Sequence, residues 1–195
     1  MKLIFASHNE HKTTEIRQLL PPEIQLLSLN DLNYHDEIEE SAATLEGNAM
    51  LKATHVFTLF KLPCFADDSG LEVEALDNRP GVYSARYAGE PKNDERNIVK
   101  LLDDLKESTN RSARFRTVIT LILPTTSLSF EGIIEGEITH EKKGSNGFGY
   151  DPVFQPIESS ITFAQMSMEQ KNTISHRALA LEKMISFLSL NKFSD

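Results

Sequence analysis

The chain has 195 residues, 39% of them hydrophobic and 25% charged, with a formal net charge of −9 and a single cysteine. That is enough chain for one domain, 1–195, with a sizeable core, and the acidic balance argues against a broad nucleic-acid backbone binder, which needs a basic face to displace counterions. No apolar run approaches the roughly 18 residues of a membrane span, and one cysteine, Cys64, excludes an internal disulfide and fits the reducing cytoplasm.

Residues 2–6 read as a first β-strand, followed by a polar turn and a helix over 11–20 with Ile16, Leu19 and Leu20 on one face. Pro21-Pro22 ends that helix. A short apolar segment, 24–29, leads into an acidic stretch that contains Glu37, Glu39 and Glu40. A second helix is predicted over 44–60, where Ala49, Ala53, Val56, Phe57 and Phe60 recur at helical spacing. Residues 63–66 read as a short buried strand ending at Asp67-Asp68-Ser69-Gly70, then 71–76 as an extended or turning segment, and Pro80-Gly81 as a turn.

A third helix is expected over 93–106 and the strongest strand over 113–123, where both faces are apolar near the end, as in a central, doubly covered position. Residues 127–139 read as one or two strands interrupted at Gly132 and Gly136. A glycine-rich loop spans 144–152, and a last helix is predicted over 175–190, capped by Ser175. The elements add up to an α/β fold: a long central mixed sheet flanked by helices on both sides.

Four segments carry residues suited to chemistry. Ser7-His8-Asn9-Glu10-His11-Lys12 lies where a strand gives way to a helix, and amides at a helix N-terminus with hydroxyl, carboxamide and lysine donors form a cradle for phosphate. It lacks the glycines of a Walker loop, and Ser and Asn are also ordinary caps. Asp67-Asp68-Ser69-Gly70, with Glu39 and Glu40 upstream, offers hard oxygen ligands of the kind magnesium takes beside substrate phosphates. A polar turn is the alternative for Asp67-Asp68, though two adjacent like charges after a buried run are costly without a cation, and for the run 37–40 alone a solvated acidic face is the plainer reading.

In the glycine-rich loop, Gly147 and Gly149 flank Phe148. Glycines let backbone approach a ligand, and an aromatic offers a base a stacking face. A tight hairpin with Phe148 in the core is the alternative. Lys171 and Ser175-His176-Arg177 open the last helix, where cations run against the helix dipole unless a ligand outweighs it.

Taken together, these segments resemble the Ham1 or ITPase-like family of inosine and xanthosine triphosphate pyrophosphatases. The resemblance rests on Ser7, Asn9 and Lys12 in an [ST]-x-N-x-x-K pattern, Ala66-Asp67-Asp68-Ser69-Gly70-Leu71, the segment Pro80-Gly81-Val82-Tyr83-Ser84-Ala85-Arg86-Tyr87, the loop Gly147-Phe148-Gly149-Tyr150-Asp151-Pro152, and Ser175-His176-Arg177, five motifs in register over nearly the whole chain.

The resemblance implies a two-lobed protein, a homodimer, with a purine nucleoside triphosphate in the cleft between the lobes. It implies that residues Ser7 to Lys12 hold the triphosphate, that Asp68 is the general base and a metal residue, and that Glu40 also serves a magnesium site. Ser69 would contact substrate, Phe148, Gly149, Tyr150 and Asp151 would sit at the base, and Lys171, His176 and Arg177 would complete the pocket. The expected reaction cuts inosine, deoxyinosine and xanthosine triphosphates to the monophosphate and pyrophosphate, cleansing the nucleotide pool. His8 stands where many members carry a small residue. Base selectivity would follow from O6: hypoxanthine and xanthine present an acceptor there and adenine an amino donor, so donors from His176 or Arg177 would favour the former.

Overall fold

In the computed structural model, residues 1–191 are described. Seven strands and five α-helices follow in chain order: β1 (Lys2–Phe5), α1 (Glu10–Leu19), β2 (Gln25–Ser28), α2 (Leu45–Phe60), β3 (Cys64–Val73), β4 (Arg79–Gly81), α3 (Asp94–Asp104), β5 (Ser112–Leu123), β6 (Thr126–Ile138), β7 (Phe154–Pro156), α4 (Met168–Ile174) and α5 (His176–Leu190). The strands form one sheet in the order β2-β1-β3-β5-β6-β7, with β4 paired to β3. It is a mixed sheet: β1 runs parallel to β2 and β3, while β4 lies antiparallel to β3 and β7 to β6. The α/β class read from the sequence is the class observed.

The chain forms two compact units. The first comprises Met1–Asp68, Thr117–Gly132 and the described residues from Arg177 on; the second comprises Ser69–Arg116 and Ile133–His176. Strands β3, β5 and β6 each contribute residues to both.

In the first unit the strand period sorts the core into two layers. Leu3, Phe5 and Phe65 pack with Ile16 of α1 and with Ala180, Leu181, Met184 and Leu188 of α5, and Ile119, Leu121 and Leu123 of β5 join them. The intervening residues Ile4, Ala6, Cys64 and Ala66 pack on Ala53 and Val56 of α2. Helix α1 begins at Asn9, whose side chain accepts from the Lys12 amide, and α2 begins at Thr44, whose hydroxyl accepts from Gly47. The second unit has its own core, in which Leu71, Val73, Ile98, Leu101, Phe115, Phe154 and Phe163 meet.

Three sequence expectations change. Asp67-Asp68-Ser69-Gly70 does not end a short strand: it is the middle of the ten-residue β3. Gly70 permits this, because a side-chain carbon there would run into the backbone of Gly81, and the close approach lets Leu71, Glu72 and Val73 pair with β4. The Pro80-Gly81 turn is correspondingly part of strand β4. Strand β6 runs unbroken through Gly132 and Gly136, and Gly136 is a place where β7 comes close, since a side chain there would strike Phe154 and the Gln155 carbonyl. Helix α4, not anticipated, is held by a capping box between Ser167 and Gln170. No helix among the described residues is long and apolar enough to cross a membrane.

Candidate active site

In the first unit, consecutive side chains of β3 point to opposite faces, as any strand dictates. Asp67 follows Phe65 onto the face covered by α1 and α5, and there its Oδ1 lies 3.0 Å from Lys12 Nζ and its Oδ2 accepts from Arg177 Nε at 3.1 Å. Arg177 Nη1 donates in turn to Glu15 Oε2. Asp68 follows Ala66 onto the α2 face, where Oδ1 accepts from Lys52 Nζ at 3.0 Å and Oδ2 from Asn48 Nδ2 at 3.3 Å. Each carboxylate of the pair thus has its own hydrogen-bonded cation, Lys12 and Arg177 for Asp67 and Lys52 for Asp68.

Lys52 also donates to Glu40 Oε1 at 2.7 Å, so one ammonium joins Glu40 to Asp68. Asn48 adds a second tie, accepting the Ala42 amide at 2.9 Å while it donates to Asp68. Glu39, by contrast, is exposed.

The two aspartates have opposite electrostatics. Burial alone would push the Asp67 carboxyl up, but Lys12, Arg177 and Lys52 outweigh it and hold the group well below the usual carboxylate range. For Asp68 burial prevails, and with Glu40 it keeps the carboxyl above its ordinary value despite Lys52 and Lys12. Burial likewise lowers the Lys12 ammonium, against the pull of Asp67. Burial also works against the Lys52 ammonium, yet Asp68, Glu40 and Asp67 together raise it. A pair of neighbouring carboxyls driven apart in this way is the pattern of an ionised group beside a proton acceptor.

The segment before α1 serves local structure as well as any ligand. Ser7 Oγ accepts from the Asn9 amide at 3.1 Å, and Asn9 caps the helix. His8 ties this segment to the acidic one: its Nδ1 lies 3.3 Å from Asn30 Oδ1 and its Nε2 3.1 Å from the Asp36 carbonyl. Asn30 also donates to Glu10. Asn9, Glu10 and His11 are exposed.

In the second unit the loop 144–152 is built around Asp151. Its Oδ2 accepts from the Phe148 amide at 2.9 Å and from Lys171 Nζ at 2.6 Å. Gly147, at φ 75°, is required here because a side chain would collide with the Asp151 carboxylate. The Lys171 ammonium sits 5.0 Å from the centre of the Phe148 ring and 5.5 Å from that of Phe163. Phe148 and Gly149 are half-buried, so Phe148 is not a core residue, and the Gly149 amide donates to Asp94 at 2.7 Å. Tyr150 is buried and donates to the Ser84 carbonyl at 2.8 Å. His176 is buried and stacks on Phe115 with ring centres 4.6 Å apart. Ser69, the step after Asp68 in β3, is partly exposed.

The structure thus gathers Lys12, Glu40 and Asp68 into the first unit's charge clusters, and Phe148, Asp151 and Lys171 around the loop of the second. Arg177 turns its guanidinium toward Glu15 and Asp67. Glu15, Asn48 and Lys52 were not singled out from sequence. Their signal was a polar residue at a buried helix position: all three are buried although α1 and α2 present apolar faces to the sheet.

The donor set suits magnesium. Two carboxylates, Glu40 and Asp68, converge on one cation, Lys52 Nζ, and magnesium takes one or two carboxylates and completes its shell with water and phosphate oxygens. Among the described residues no cluster of three or more His, Cys, Asp or Glu side chains is placed to cage a metal without such oxygens.

The profile of the Ham1 family matches residues 3–187. A dITP/XTP pyrophosphatase of Flavobacterium johnsoniae is 53% identical over 192 residues, covering 98% of this chain and all of the relative. One of Bacillus subtilis is 43% identical over 189 residues, covering 95% of this chain and 96% of the relative. Among solved structures, the Ham1 protein of Staphylococcus aureus superimposes with a TM-score of 0.90 at 41% identity, covering 98% of this chain and all of the other.

Proposed function

The chain belongs to the Ham1 family, and from that premise we propose that it hydrolyses deaminated purine nucleoside triphosphates (ITP, dITP and XTP) to the nucleoside monophosphate and pyrophosphate, keeping them out of DNA and RNA. The relatives at 53% and 43% identity carry the name dITP/XTP pyrophosphatase. The observation that carries the chemistry is the contrast within β3: Asp67 is pinned as an anion between Lys12 and Arg177, while Asp68 is raised toward the proton.

On this reading Asp68 is the general base. It takes the proton of the attacking water as the new P–O bond forms at the α–β anhydride, and the bond to the departing pyrophosphate breaks. The Lys12 ammonium and the amides from Ser7 to His11 face the polyphosphate charge, and Asp67 pairs with Lys12 at 3.0 Å. Asp67, held by two cations and well below the usual carboxylate range, is the poorer base. Glu40 and Asp68 would hold magnesium, which when bound neutralises phosphate charge and acidifies water.

Base recognition falls to the second unit's residues. Phe148 offers a ring face, Gly149, Tyr150 and Asp151 shape the loop, and Lys171 fastens it through Asp151. A donor from His176 aimed at O6 would accept hypoxanthine and xanthine and meet adenine donor to donor, and a site that depends on such bonds discriminates by about 10⁴ or more. Ser69 lies beside the base catalyst in β3 and would contact substrate. We take the chain to act as a homodimer in the cytoplasm: the family resemblance supports the first, and a lone buried cysteine supports the second.

The test is pyrophosphate release from ITP, dITP, XTP, ATP and GTP, each with magnesium and with a chelator. Magnesium-dependent cleavage confined to the first three is expected. Equal cleavage of all five would remove the base-selectivity argument, and cleavage of none would leave a nucleotide-binding protein.

A further inference from the structure

Four charged side chains of the first unit alternate in sign. Lys12 Nζ lies 3.0 Å from Asp67 Oδ1, Asp67 Oδ2 accepts from Arg177 Nε at 3.1 Å, and Arg177 Nη1 donates to Glu15 Oε2. The side chains of Asp67, Arg177 and Glu15 are 1%, 2% and 5% exposed, and that of Lys12 is 16% exposed. The row therefore begins deep inside and emerges at the lysine. Burying charges in this way adds little stability over apolar packing of the same volume, so the arrangement calls for a role.

We infer that Glu15 and Arg177 are positioning residues for Lys12, acting through Asp67 to set how much of that ammonium's charge is left for a polyphosphate. An aspartate with one cation partner closes on it as a tight, charge-assisted pair. Here the carboxylate is shared. Arg177 occupies one oxygen and draws on the charge that would otherwise hold Lys12, while Glu15 holds Arg177 back from pulling further. The arginine gives each carboxylate a nitrogen of its own, Nε to Asp67 and Nη1 to Glu15, held in one rigid plane, whereas an ammonium such as that of Lys52 brings both its carboxylates to a single atom.

The arrangement has a consequence in sign. With the Arg177 charge removed, Asp67 closes on Lys12 and anion binding weakens. With the Glu15 charge removed, Arg177 pulls harder on Asp67, Lys12 is released, and anion binding tightens. General damage to the fold would weaken binding in both cases. A field acting through space would give the same two signs, but they would survive loss of Asp67.

The inference rests on the reading that Lys12 meets the polyphosphate, and the test separates the two. Inorganic tripolyphosphate is titrated calorimetrically, without metal, into the full chain and into Arg177→Gln and Glu15→Gln, each also in an Asp67→Asn background, with thermal melts reporting folding. Arg177→Gln is expected to bind about tenfold more weakly and Glu15→Gln about threefold more tightly, the scale of one redistributed charge-assisted hydrogen bond. In the Asp67→Asn background both effects should shrink below about twofold. Full effects in that background, or weaker binding by a folded Glu15→Gln protein, would overturn the inference. Should Glu15→Gln not fold, Arg177→Lys serves: it keeps the net charge but cannot give Asp67 and Glu15 each a separate nitrogen in one rigid plane, so weaker binding is expected and unchanged binding contradicts. If the unaltered protein binds no tripolyphosphate, the Lys12 reading falls and the inference with it; binding without coupling removes the inference alone.

Discussion

Asp67 and Asp68 are adjacent in β3, yet Lys12 and Arg177 hold the first on one face of the sheet and Lys52 and Asn48 hold the second on the other. Strand geometry thus turns a repeated residue into two different groups, one carboxyl held well below the usual range and one held above it. Each has its own consequence for measurement.

Asp68→Asn removes the proton acceptor but keeps the shape of the side chain. Turnover of ITP is expected to fall by about 10²–10⁴, the usual worth of a general base, while ITP still binds within a few-fold of the parent affinity. Steady-state kinetics beside equilibrium binding check this, and near-normal turnover would remove Asp68 from the base role.

Lys52→Met strips the cation shared by Glu40 and Asp68. In a chelator the variant should melt about 5 °C or more below the parent, as expected when buried carboxylates lose their partner. Added magnesium should then raise its melting temperature more than it raises the parent's. Equal magnesium shifts in the two proteins would show that Glu40 and Asp68 do not take the metal.

Acid stability should follow Asp67. Burial opposes its ionisation, but Lys12, Arg177 and Lys52 more than offset that, so its folded-state pKa lies below the unfolded value of about 4. A depressed carboxyl contributes stability that is present above the unfolded pKa and lost as pH falls through the folded one. Asp68, shifted up, acts in the opposite sense: it favours the folded state when protonated, and that advantage is lost as pH rises above about 4 toward its folded value. Urea midpoints measured from pH 5 down to 2 should therefore drop less steeply in Asp67→Asn than in the parent, and parallel curves would contradict the depressed carboxyl.

Gly147→Ala places a methyl against the Asp151 carboxylate at a φ of 75°. Because Asp151 fastens both the Phe148 amide and Lys171, the loop should lose its shape, with ITP affinity down by about tenfold or more and melting lowered by only a few degrees. Titration of ITP into the variant checks it, and parent-like affinity would detach the loop from the nucleotide.

Much of this was legible in the sequence where a local period carried it. Ala49, Ala53 and Val56 announce α2, and the apolar residues on both faces near the end of β5 announce a covered strand. What was not legible depended on partners far along the chain. Asp67-Asp68 reads as a strand end, because nothing near it shows the strand continuing or supplies the cations: Lys12 lies 55 positions away, Arg177 lies 110, and Lys52 lies 16 from Asp68. Glycine misleads for a related reason: Gly136 reads as a break, whereas it makes room for β7, which arrives from a later segment. Glu15 and Lys52 are hidden because charged residues on amphipathic helices ordinarily face water, and only the fold shows that these are buried. The five motifs pointed to the right family, but the direction in which Arg177 points could not be read from its place in Ser175-His176-Arg177.

The central claim is cleavage at the α–β anhydride, and the most direct measurement is to identify the products of ITP incubated with the protein and magnesium by phosphorus NMR. Inosine monophosphate and pyrophosphate in equal amounts, with no inosine diphosphate or inorganic phosphate, is the predicted result. Inosine diphosphate with inorganic phosphate would place the cut at the terminal phosphate and contradict the assignment of Asp68 and Lys12 to a pyrophosphatase site.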